Sequence, residues 1–210
     1  MTASLLIMGA GGHGRVVADT AEVSGCWRQI AFLDDRYPGL GSSGRWPVIG
    51  TLGRIAALVG NWTDCVVALG NNPLRHERQA HARSLGLTVT TVIHPSAQIA
   101  SDVVLGEGTV VFANAVINTG SRLGQAVIVN TAATLDHDNH IGSGVHISPG
   151  AHLAGGITIG NRSWIGIGAT VIQGTTIGAD VTVGAGGVVT QDIAEGITAV
   201  GIPARALEQR

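Results

Sequence analysis

The sequence predicts a Rossmann-like α/β half domain followed by a parallel β-helix, because one rhythm of the chain gives way to another. From residue 99 to residue 189 an aliphatic side chain occurs at every sixth position, sixteen times without an insertion. A period of six fits neither a helix nor an alternating strand, so each hexad is expected to form one side of a coil. Glycine also recurs at every eighteenth residue, as corners with positive φ or close backbone approach require, so each coil is expected to be a triangle of three hexads. These glycines are Gly106, Gly124, Gly142, Gly160 and Gly178.

Strands and helices alternate in the first 92 residues, which indicates a parallel sheet with helices on both faces. Residues 5–8, 29–33, 65–69 and 88–93 are predicted strands, and residues 15–23, 51–59 and 73–85 are predicted helices. The change of rhythm places the boundary near residue 94. We therefore expect a first domain of residues 1–94 and a coil domain of residues 95–210.

The composition favours an oligomer, and the N-terminus and the two cysteines favour a location in the cytoplasm. Charged residues make up 12% of the chain, so the flat sides of the coil expose small, weakly polar side chains that another copy can cover. A triangular coil makes a trimer the natural closed assembly, although other symmetries remain open. A net charge of −2 without a basic run argues against nucleic acid as a partner. The N-terminus resembles neither a signal peptide nor a membrane span, and Cys26 and Cys65 are isolated, so we expect a soluble cytoplasmic protein.

The segment GAGGHG joins the first predicted strand to the first predicted helix. Gly9, Gly11 and Gly14 have the spacing of a dinucleotide-binding loop, and Asp34 lies twenty residues beyond the last glycine. This pattern fits NAD, but half of a doubly wound fold offers a crevice for one nucleotide. A nucleotide diphosphate, with its phosphates on the helix N-terminus and an acidic pair on the ribose or base, suits it better. In the structural alternative, the glycines merely form a tight turn.

The histidines of the coil differ in their register. His140, His146 and His152 are six residues apart, so they occupy equivalent points on three different sides and point outward. They cannot converge on one metal ion within a chain, and we expect no metal. His137 lies between Asp136 and Asp138, where a carboxylate can hold the imidazole and raise its basicity. We therefore expect His137 to be a general base.

At these residues the chain resembles bacterial hexapeptide-repeat acyltransferases of the sialic acid O-acetyltransferase and nucleotide-aminosugar N-acetyltransferase type. The resemblance covers nearly the whole chain, and the hexads together with the N-terminal segments are much more specific than the hexads alone. The matching segments are GAGGHG (9–14), FLDD (32–35), ALGNN (68–72), IHPSA (93–97), NTAATLDHD (130–138), HISPGA (146–151) and GIPAR (201–205).

The resemblance implies a left-handed β-helix, a homotrimer, acetyl-CoA as the donor, and an active site between neighbouring subunits. It implies His137 as the general base and Asp138 as the acidic residue that supports it. Asp138 stands where some members have Glu, and Ala185 where some have Gly, and neither change is expected to abolish the chemistry.

The other residues that the resemblance marks belong to two binding sites. The positions matching those near the thioester and pantetheine of acetyl-CoA are His146, Gly155, Ile167 and Ala185. The positions matching the sugar-nucleotide site are Gly11, Gly12, His13, Asp34, Asp35 and Gly70. Asn71, Asn72 and Arg75 are added to that site because they are neighbours of Gly70.

These observations predict an N-acetyltransferase that acts on the 4-amino group of a nucleotide-linked amino-dideoxy sugar, a precursor of a surface polysaccharide or glycan. Direct transfer is expected, because neither cysteine lies in the coil domain. An O-acetyltransferase acting on a sialic acid or another sugar hydroxyl would use the same histidine and donor. A non-catalytic scaffold that senses a nucleotide is the alternative from another class of protein.

Overall fold

The computed structural model describes residues 3–207. The chain divides into two compact units, Met1–Pro95 and Ser96–Arg210, and each unit has its own core.

The first unit contains a sheet of six short strands, of which five run parallel. The strands are β1 (Ser4–Met8), β2 (Gln29–Leu33), β3 (Ser42–Ser43), β4 (Trp46–Gly50), β5 (Asp64–Val67) and β6 (Thr88–Val89), with β7 (Val92–Ile93) following. The helices are α1 (Gly12–Ser24), α2 (Asn72–Ser84) and a 3-10 helix over Leu52–Leu58. The strand order is β3-β4-β2-β1-β5-β6, with β3 antiparallel to β4. This order is that of one half of a doubly wound sheet plus a short antiparallel edge.

Helices cover both faces of this sheet, as predicted. Leu33 on one face belongs to a buried cluster with Ile55 of the 3-10 helix and Ala82 of α2. The adjacent Phe32 points to the opposite face, because side chains alternate along a strand, and lies there against Gly14 of α1.

Two predicted elements differ from the observed ones, and one observed element was not predicted. The segment 51–59 forms a 3-10 helix instead of an α-helix, since the short run with Gly53 suits the tighter coil. The segment 88–93 is broken into β6 and β7 at residues 90–91. The sequence analysis also missed the hairpin of β3 and β4, because Gly44 and Pro47 in this segment are typical of loops and sheet edges.

The second unit is a parallel β-helix in which each residue pairs with the residue eighteen positions further on. Leu135, for example, pairs with Ile117 on one side and with Leu153 on the other. Two-residue strands alternate with turns along the coil. These strands are Gln98–Ile99, Val104–Leu105, Val110–Val111, Val116–Ile117, Arg122–Leu123, Ile128–Val129, Thr134–Leu135, His140–Ile141, His146–Ile147, His152–Leu153, Thr158–Ile159, Trp164–Ile165, Thr170–Val171, Thr176–Ile177, Thr182–Val183 and Val188–Val189.

The sixteen periodic aliphatics fill the inside of the coil. Fourteen of them are buried, and Ile99 and Leu105 in the first coil are partly buried against the same cluster. Full burial of such a side chain contributes about 1.5–3 kcal/mol, so these stacked aliphatic side chains are the main source of stability in this unit. Thr198–Val200 pairs with the last coil at an offset of sixteen, and Arg205–Ala206 then runs antiparallel to it, which ends the coil.

Close approach of successive coils explains the glycines that recur every eighteen residues. A Cβ atom built on Gly142 would lie 2.7 Å from the backbone nitrogen of Asn161, and one on Gly124 would lie 2.6 Å from Ser143 Oγ. Across residues 3–207, no helix is long and apolar enough to cross a membrane.

Candidate active site

A corner of the coil presents an imidazole that is supported by a carboxylate. His137 Nδ1 lies 2.9 Å from Asp138 Oδ2, and the His137 side chain is 56% exposed. An ionised carboxylate only accepts hydrogen bonds, so Nδ1 carries the proton and Nε2 keeps its lone pair. This hydrogen bond, together with the negative charge of Asp136, raises the pKa of His137 above its ordinary value. The geometry is that of a general base.

Asp138 is an unusual residue for the backbone conformation of this corner. Its φ is +58°, in the left-handed region, whereas the equivalent residues of the neighbouring coils are Gly120 and Gly156, with φ of +74° and +69°. Aspartate tolerates this conformation better than most residues, but strain of this kind persists only where the surroundings enforce it. A Cβ atom on Gly120, in the preceding coil, would also overlap the Asp138 carboxylate, so glycine at that position leaves space for the carboxylate.

Gly155 lies directly against the ring of His137. A Cβ atom built on Gly155 would be 2.5 Å from Cε1 and Nε2 of that ring. Glycine at this position therefore allows the imidazole to pack over the corner. A role of Gly155 toward acetyl-CoA stays a prediction.

Asp136 orients the same turn from the other side. Its Oδ1 accepts a hydrogen bond from the backbone N–H of His137 at 2.9 Å and another from Asn118 Nδ2 at 3.1 Å. Asp136 therefore acts on His137 through both its charge and its contact with the backbone.

His146 is largely buried, although its register predicts a side chain that points outward. It is 9% exposed and stacks on Trp164, with ring centroids 5.5 Å apart and planes 8° from parallel. Asn130 Oδ1 accepts the N–H of Thr131, which fixes the amide so that its Nδ2 faces His146 Nε2 at 3.1 Å. The Nε2 lone pair of His146 is therefore already used as an acceptor, and its proton sits on Nδ1.

Ile167 and Ala185 lie at a different corner from His137. Both are exposed and eighteen residues apart, and the Gly186 N–H donates to the Ile167 carbonyl at 2.8 Å. In one coil, a full side carrying the strand His152–Leu153 separates this corner from the His137–Gly155 corner. The predicted donor-site residues therefore do not form one cluster within the coil.

The glycines of the first loop have two separate roles. A Cβ atom on Gly14 would overlap the Gly9 carbonyl, and Gly9 itself has a φ of +111°, so the tight turn requires both. Nothing lies within 4 Å of a Cβ atom built on Gly11 or Gly12, and both residues are exposed. The turn thus explains two of the glycines, and the other two leave open space at the start of α1.

Asp34 and Asp35 are held by local contacts. Asp34 accepts hydrogen bonds from the Ala10 N–H at 2.8 Å and from the guanidinium of Arg36, which holds the pKa of the Asp34 carboxyl well below its usual range. Asp35 accepts the N–H of Leu52 at the start of the 3-10 helix. A cavity of about 280 Å³ beside them contains Gly11, Gly12, Arg15 and Arg36 in its lining.

One of the predicted residues near Gly70, Arg75, is a buried cation. Arg75 is 1% exposed and donates to the Leu69 carbonyl at 3.0 Å and to Asn72 Oδ1 at 2.9 Å. Burial lowers the pKa of Arg75 to about 10, and burial and the nearby Arg75 charge lower the pKa of His13 to about 4. His13, Asn72 and Arg75 thus lie close together at the carboxyl ends of β1 and β5, where the strand order reverses. Asn71 caps α2 by accepting the Leu74 N–H, and Gly70 is exposed.

Sequence reasoning missed four residues of these sites. Trp164 is the only tryptophan after residue 95 and stands eighteen residues after His146, so the period already indicated their contact. Asn130 lies within a matching segment but carried no signal of its own. Arg15 and Arg36 lie next to predicted positions and were passed over. Among residues 3–207, no group of three or more His, Cys, Asp or Glu side chains is arranged to hold a metal ion.

A hexapeptide-repeat β-helix with a carboxylate-supported histidine at a corner defines an acyltransferase. Residues 4–81 match the family model described as the PglD N-terminal domain. The acetyltransferase domain of PglB from Neisseria gonorrhoeae, solved with acetyl coenzyme A, is 46% identical over 99% of this chain and 100% of that one, with a TM-score of 0.94. PerB from Caulobacter crescentus, solved with CoA and GDP-perosamine, is 38% identical over 98% of both chains, with a TM-score of 0.93.

A third relative is the UDP-N-acetylbacillosamine N-acetyltransferase of Bacillus subtilis, 37% identical over 111 residues. That match covers 50% of this chain and about half the length of the relative. The chain belongs to this family of bacterial sugar N-acetyltransferases. The likeness confirms the predicted class of fold, a Rossmann-like α/β part followed by a left-handed β-helix.

Replacing Asp138 by Asn is expected to lower the pKa of His137 toward its ordinary value of 6.5, because the hydrogen bond that His137 donates to the Asp138 carboxylate is the largest cause of the upward shift. NMR titration of isotope-labelled histidine measures this pKa, with the His137 signal assigned by its loss in His137→Asn. Asp180→Asn is the matched control, since Asp180 is another left-handed aspartate of the coil and pairs with Arg162. An unchanged His137 pKa in Asp138→Asn would contradict the assigned contact.

Proposed function

We propose that the protein transfers the acetyl group of acetyl-CoA to the 4-amino group of a nucleotide-linked amino-dideoxy sugar. The observation that carries this proposal is the His137–Asp138 pair, which holds a basic, half-exposed imidazole at a corner of the coil through Nδ1 and so leaves Nε2 to take a proton. The relatives solved with acetyl coenzyme A, or with CoA and GDP-perosamine, support the two substrate classes. PerB was solved with a GDP-linked sugar, whereas the name of the Bacillus subtilis relative contains a UDP-linked sugar, so the assay must vary the base.

In the proposed reaction His137 Nε2 accepts a proton from the attacking amine. The amine nitrogen forms a bond to the acetyl carbonyl carbon, the carbon–sulfur bond breaks, and CoA leaves as a thiolate that the proton neutralises. General base catalysis of this kind contributes ~10²–10⁴ in rate. Asp138 holds the imidazole in the required tautomer, as a positioning residue does. Structures of PerB variants with one histidine replaced by Asn or Ala, also with CoA and GDP-perosamine, are consistent with a histidine as the general base.

His146 is proposed to bind the donor instead of taking the proton. Its Nε2 already faces the Asn130 amide, so it lacks the free lone pair that a base requires. Its stacked position beside Trp164 suits a fixed contact to the thioester region. Ile167 and Ala185 are proposed to contact the pantetheine, and the Gly155 N–H to stabilise the oxyanion.

The first unit is proposed to bind the nucleotide diphosphate. Gly11 gives α1 no side-chain cap and the first turn contains no acidic residue, so the positive end of this helix is open to an anion. Arg15 and Arg36 line the adjacent cavity and add positive charge. His13, Asp34, Asp35, Gly70, Asn71, Asn72 and Arg75 remain proposed members of this site, several of them through the local contacts that shape its walls.

We also propose a cytoplasmic homotrimer with the active site between subunits. The proposed base and the proposed pantetheine contacts lie at different corners of one coil, so a neighbouring copy can bring the second set to the first. Trp164 is 46% exposed and Ile167 is 61% exposed on the outside of the coil, where another chain would cover them.

The deciding experiment is an acetyl-transfer assay with a panel of acceptors. The protein is incubated with acetyl-CoA and with UDP-, dTDP- and GDP-linked 4-amino sugars, matched hydroxy sugars and sialic acid, and each product is analysed by mass spectrometry. An acetyl group gained on an amino sugar supports the proposal. Acetylation of the hydroxy sugars or sialic acid alone supports the O-acetyltransferase alternative, and no transfer to any acceptor supports the scaffold.

Replacing His137 by Asn is expected to lower kcat by roughly 10²-fold or more, with binding of both substrates largely kept, because the imidazole acts mainly in the transition state. Steady-state kinetics at saturating acetyl-CoA measures this effect. His140→Asn is the control, since His140 is exposed three residues further along the same coil. Activity that survives in His137→Asn but is lost in His146→Asn would mean that the base is the other histidine.

Replacing Gly12 by Val is expected to raise the KM for the sugar nucleotide and to leave the KM for acetyl-CoA nearly unchanged. The side chain has room in the folded protein, so it would intrude on a ligand instead of on the loop itself. Initial rates with each substrate varied in turn separate the two constants. Equal increases in both would show that the loop serves the fold alone.

Light scattering at micromolar concentration is expected to give a mass of about 64 kDa, three times that of the 21.3 kDa chain. The physical reason is that a trimer hides the weakly polar sides of the triangular coil. A mass near 21 kDa would remove the support for an active site between subunits.

A further inference from the structure

A buried asparagine lies inside the corner that carries His137. Asn139 is fully buried, and its Nδ2 donates to the backbone carbonyl of Asp136 at 2.6 Å. Its Oδ1 accepts the backbone N–H of Ile157, in the next coil, at 2.9 Å. A buried amide is unfavourable unless it is hydrogen-bonded, and this one is bonded at both ends.

The Asp136 carbonyl is held by a second donor as well. Ser121, in the preceding coil, donates its hydroxyl to the same oxygen at 3.1 Å and accepts the N–H of Asn139 at 3.3 Å. Further along the turn, the Gly156 N–H donates to the His137 carbonyl at 2.9 Å, and the Asp138 N–H donates to the Thr119 carbonyl at 3.0 Å. The three peptide units on which the imidazole and its carboxylate stand are thus fixed to the coils on both sides.

The fold itself does not require a polar residue at this position. Ile157 occupies the equivalent point of the next coil and is fully buried there, so an aliphatic side chain fits the space. One coil further on, Thr175 donates its hydroxyl to the Ile172 carbonyl at 2.8 Å, the same contact at a turn without a histidine or an aspartate. What distinguishes the Asn139 corner is that Asp138, and not glycine, must be kept at positive φ.

We propose that Asn139 is a positioning residue, which clamps the Asp136–Asp138 turn from inside the coil so that His137 stays on Asp138 with its Nε2 facing the substrate. This inference rests on the proposed function, because it assumes that His137 is the base. It acts through geometry alone, since Asn139 has no access to a ligand from the interior of the coil. A displacement of about 1 Å in a reacting group can lower a rate by about 10²-fold, so a small change of the turn has a measurable effect.

The test compares two substitutions at this position with one at the matched corner. Asn139→Val fits the space that Ile157 shows to be available but loses both hydrogen bonds, and it is expected to lower kcat by roughly tenfold or more with little change in the KM for acetyl-CoA. Asn139→Thr keeps a donor for the Asp136 carbonyl, as Thr175 has for Ile172, and is expected to restore most of kcat. Thr175→Val is the control and is expected to leave kcat unchanged.

NMR titration of His137 gives a readout that does not depend on turnover. The charged groups next to His137 on this turn are Asp136 and Asp138, and both raise its pKa. A loosened turn weakens the contact to Asp138, so Asn139→Val is expected to lower the His137 pKa toward 6.5. Asn139→Thr is expected to keep the pKa near that of the unchanged protein.

The possible outcomes separate this inference from the proposed function. If the unchanged protein acetylates no acceptor, the proposed function fails, and the inference fails with it as a statement about catalysis. If the protein is active but Asn139→Val keeps both its kcat and its His137 pKa, the positioning role is overturned. Equal losses of kcat in Asn139→Val and Thr175→Val also overturn it, because they indicate general loosening of the coil.

Ser121→Ala covers the case in which Asn139→Val does not fold, as judged by circular dichroism. It removes the other donor to the Asp136 carbonyl and is expected to lower kcat and the His137 pKa in the same direction but by less. Unchanged kcat and an unchanged His137 pKa in Ser121→Ala would overturn the clamp.

Discussion

The stacking of each residue on the residue eighteen positions away is the constraint on which the coil and its candidate site depend. Leu135 and Leu153 pair in register inside the coil, and this register places everything outside it. His137 lies over Gly155, and His146 stacks on Trp164, because each pair is separated by the same eighteen residues. A single insertion between these residues would shift the lumen residues to the wrong points of the triangle. The hydrophobic repeat thus fixes the geometry of the polar groups without contacting a substrate.

Strain and support occur together at the corner of His137. Asp138 adopts a positive φ at a point where the adjacent coils use glycine, which is unfavourable by about 1–3 kcal/mol for a residue with a side chain. In return its carboxylate reaches His137, and Gly120 leaves the space that the carboxylate occupies. The stacked aliphatic side chains inside the coil offset such strain. Burial of one or two of them contributes a free energy of similar size, about 1.5–3 kcal/mol each.

The sequence predicted the coil almost completely. The aliphatic residue at every sixth position can be seen in the order of the residues alone, and it leaves little choice of register. It also predicted that a flanking carboxylate holds His137, because neighbouring residues in a corner turn cannot be far apart, and the family resemblance selected Asp138, which makes that contact. The left-handed aspartate, the stacked His146 and the interior clamp by Asn139 depend on side-chain directions that a period does not determine. In the first unit the glycine spacing was informative, but whether Asp34 and Asp35 face a ligand or the backbone depends on hydrogen bonds formed only on folding.

Three histidines show how one residue type takes different chemical roles. Burial and the charge of Arg75 lower the pKa of His13 to about 4, so it stays neutral throughout the range in which His137 titrates. His137, exposed beside two carboxylates, has a raised pKa and a free lone pair on Nε2. His146 has its Nε2 engaged by Asn130 under a tryptophan ring. In acid–base enzymes, residues of one type often differ in pKa because their environments differ. Here the three histidines differ because of their register, their burial and two hydrogen bonds. The assignment of His137 as the proposed base therefore rests on what surrounds each ring and not on its place in the repeat.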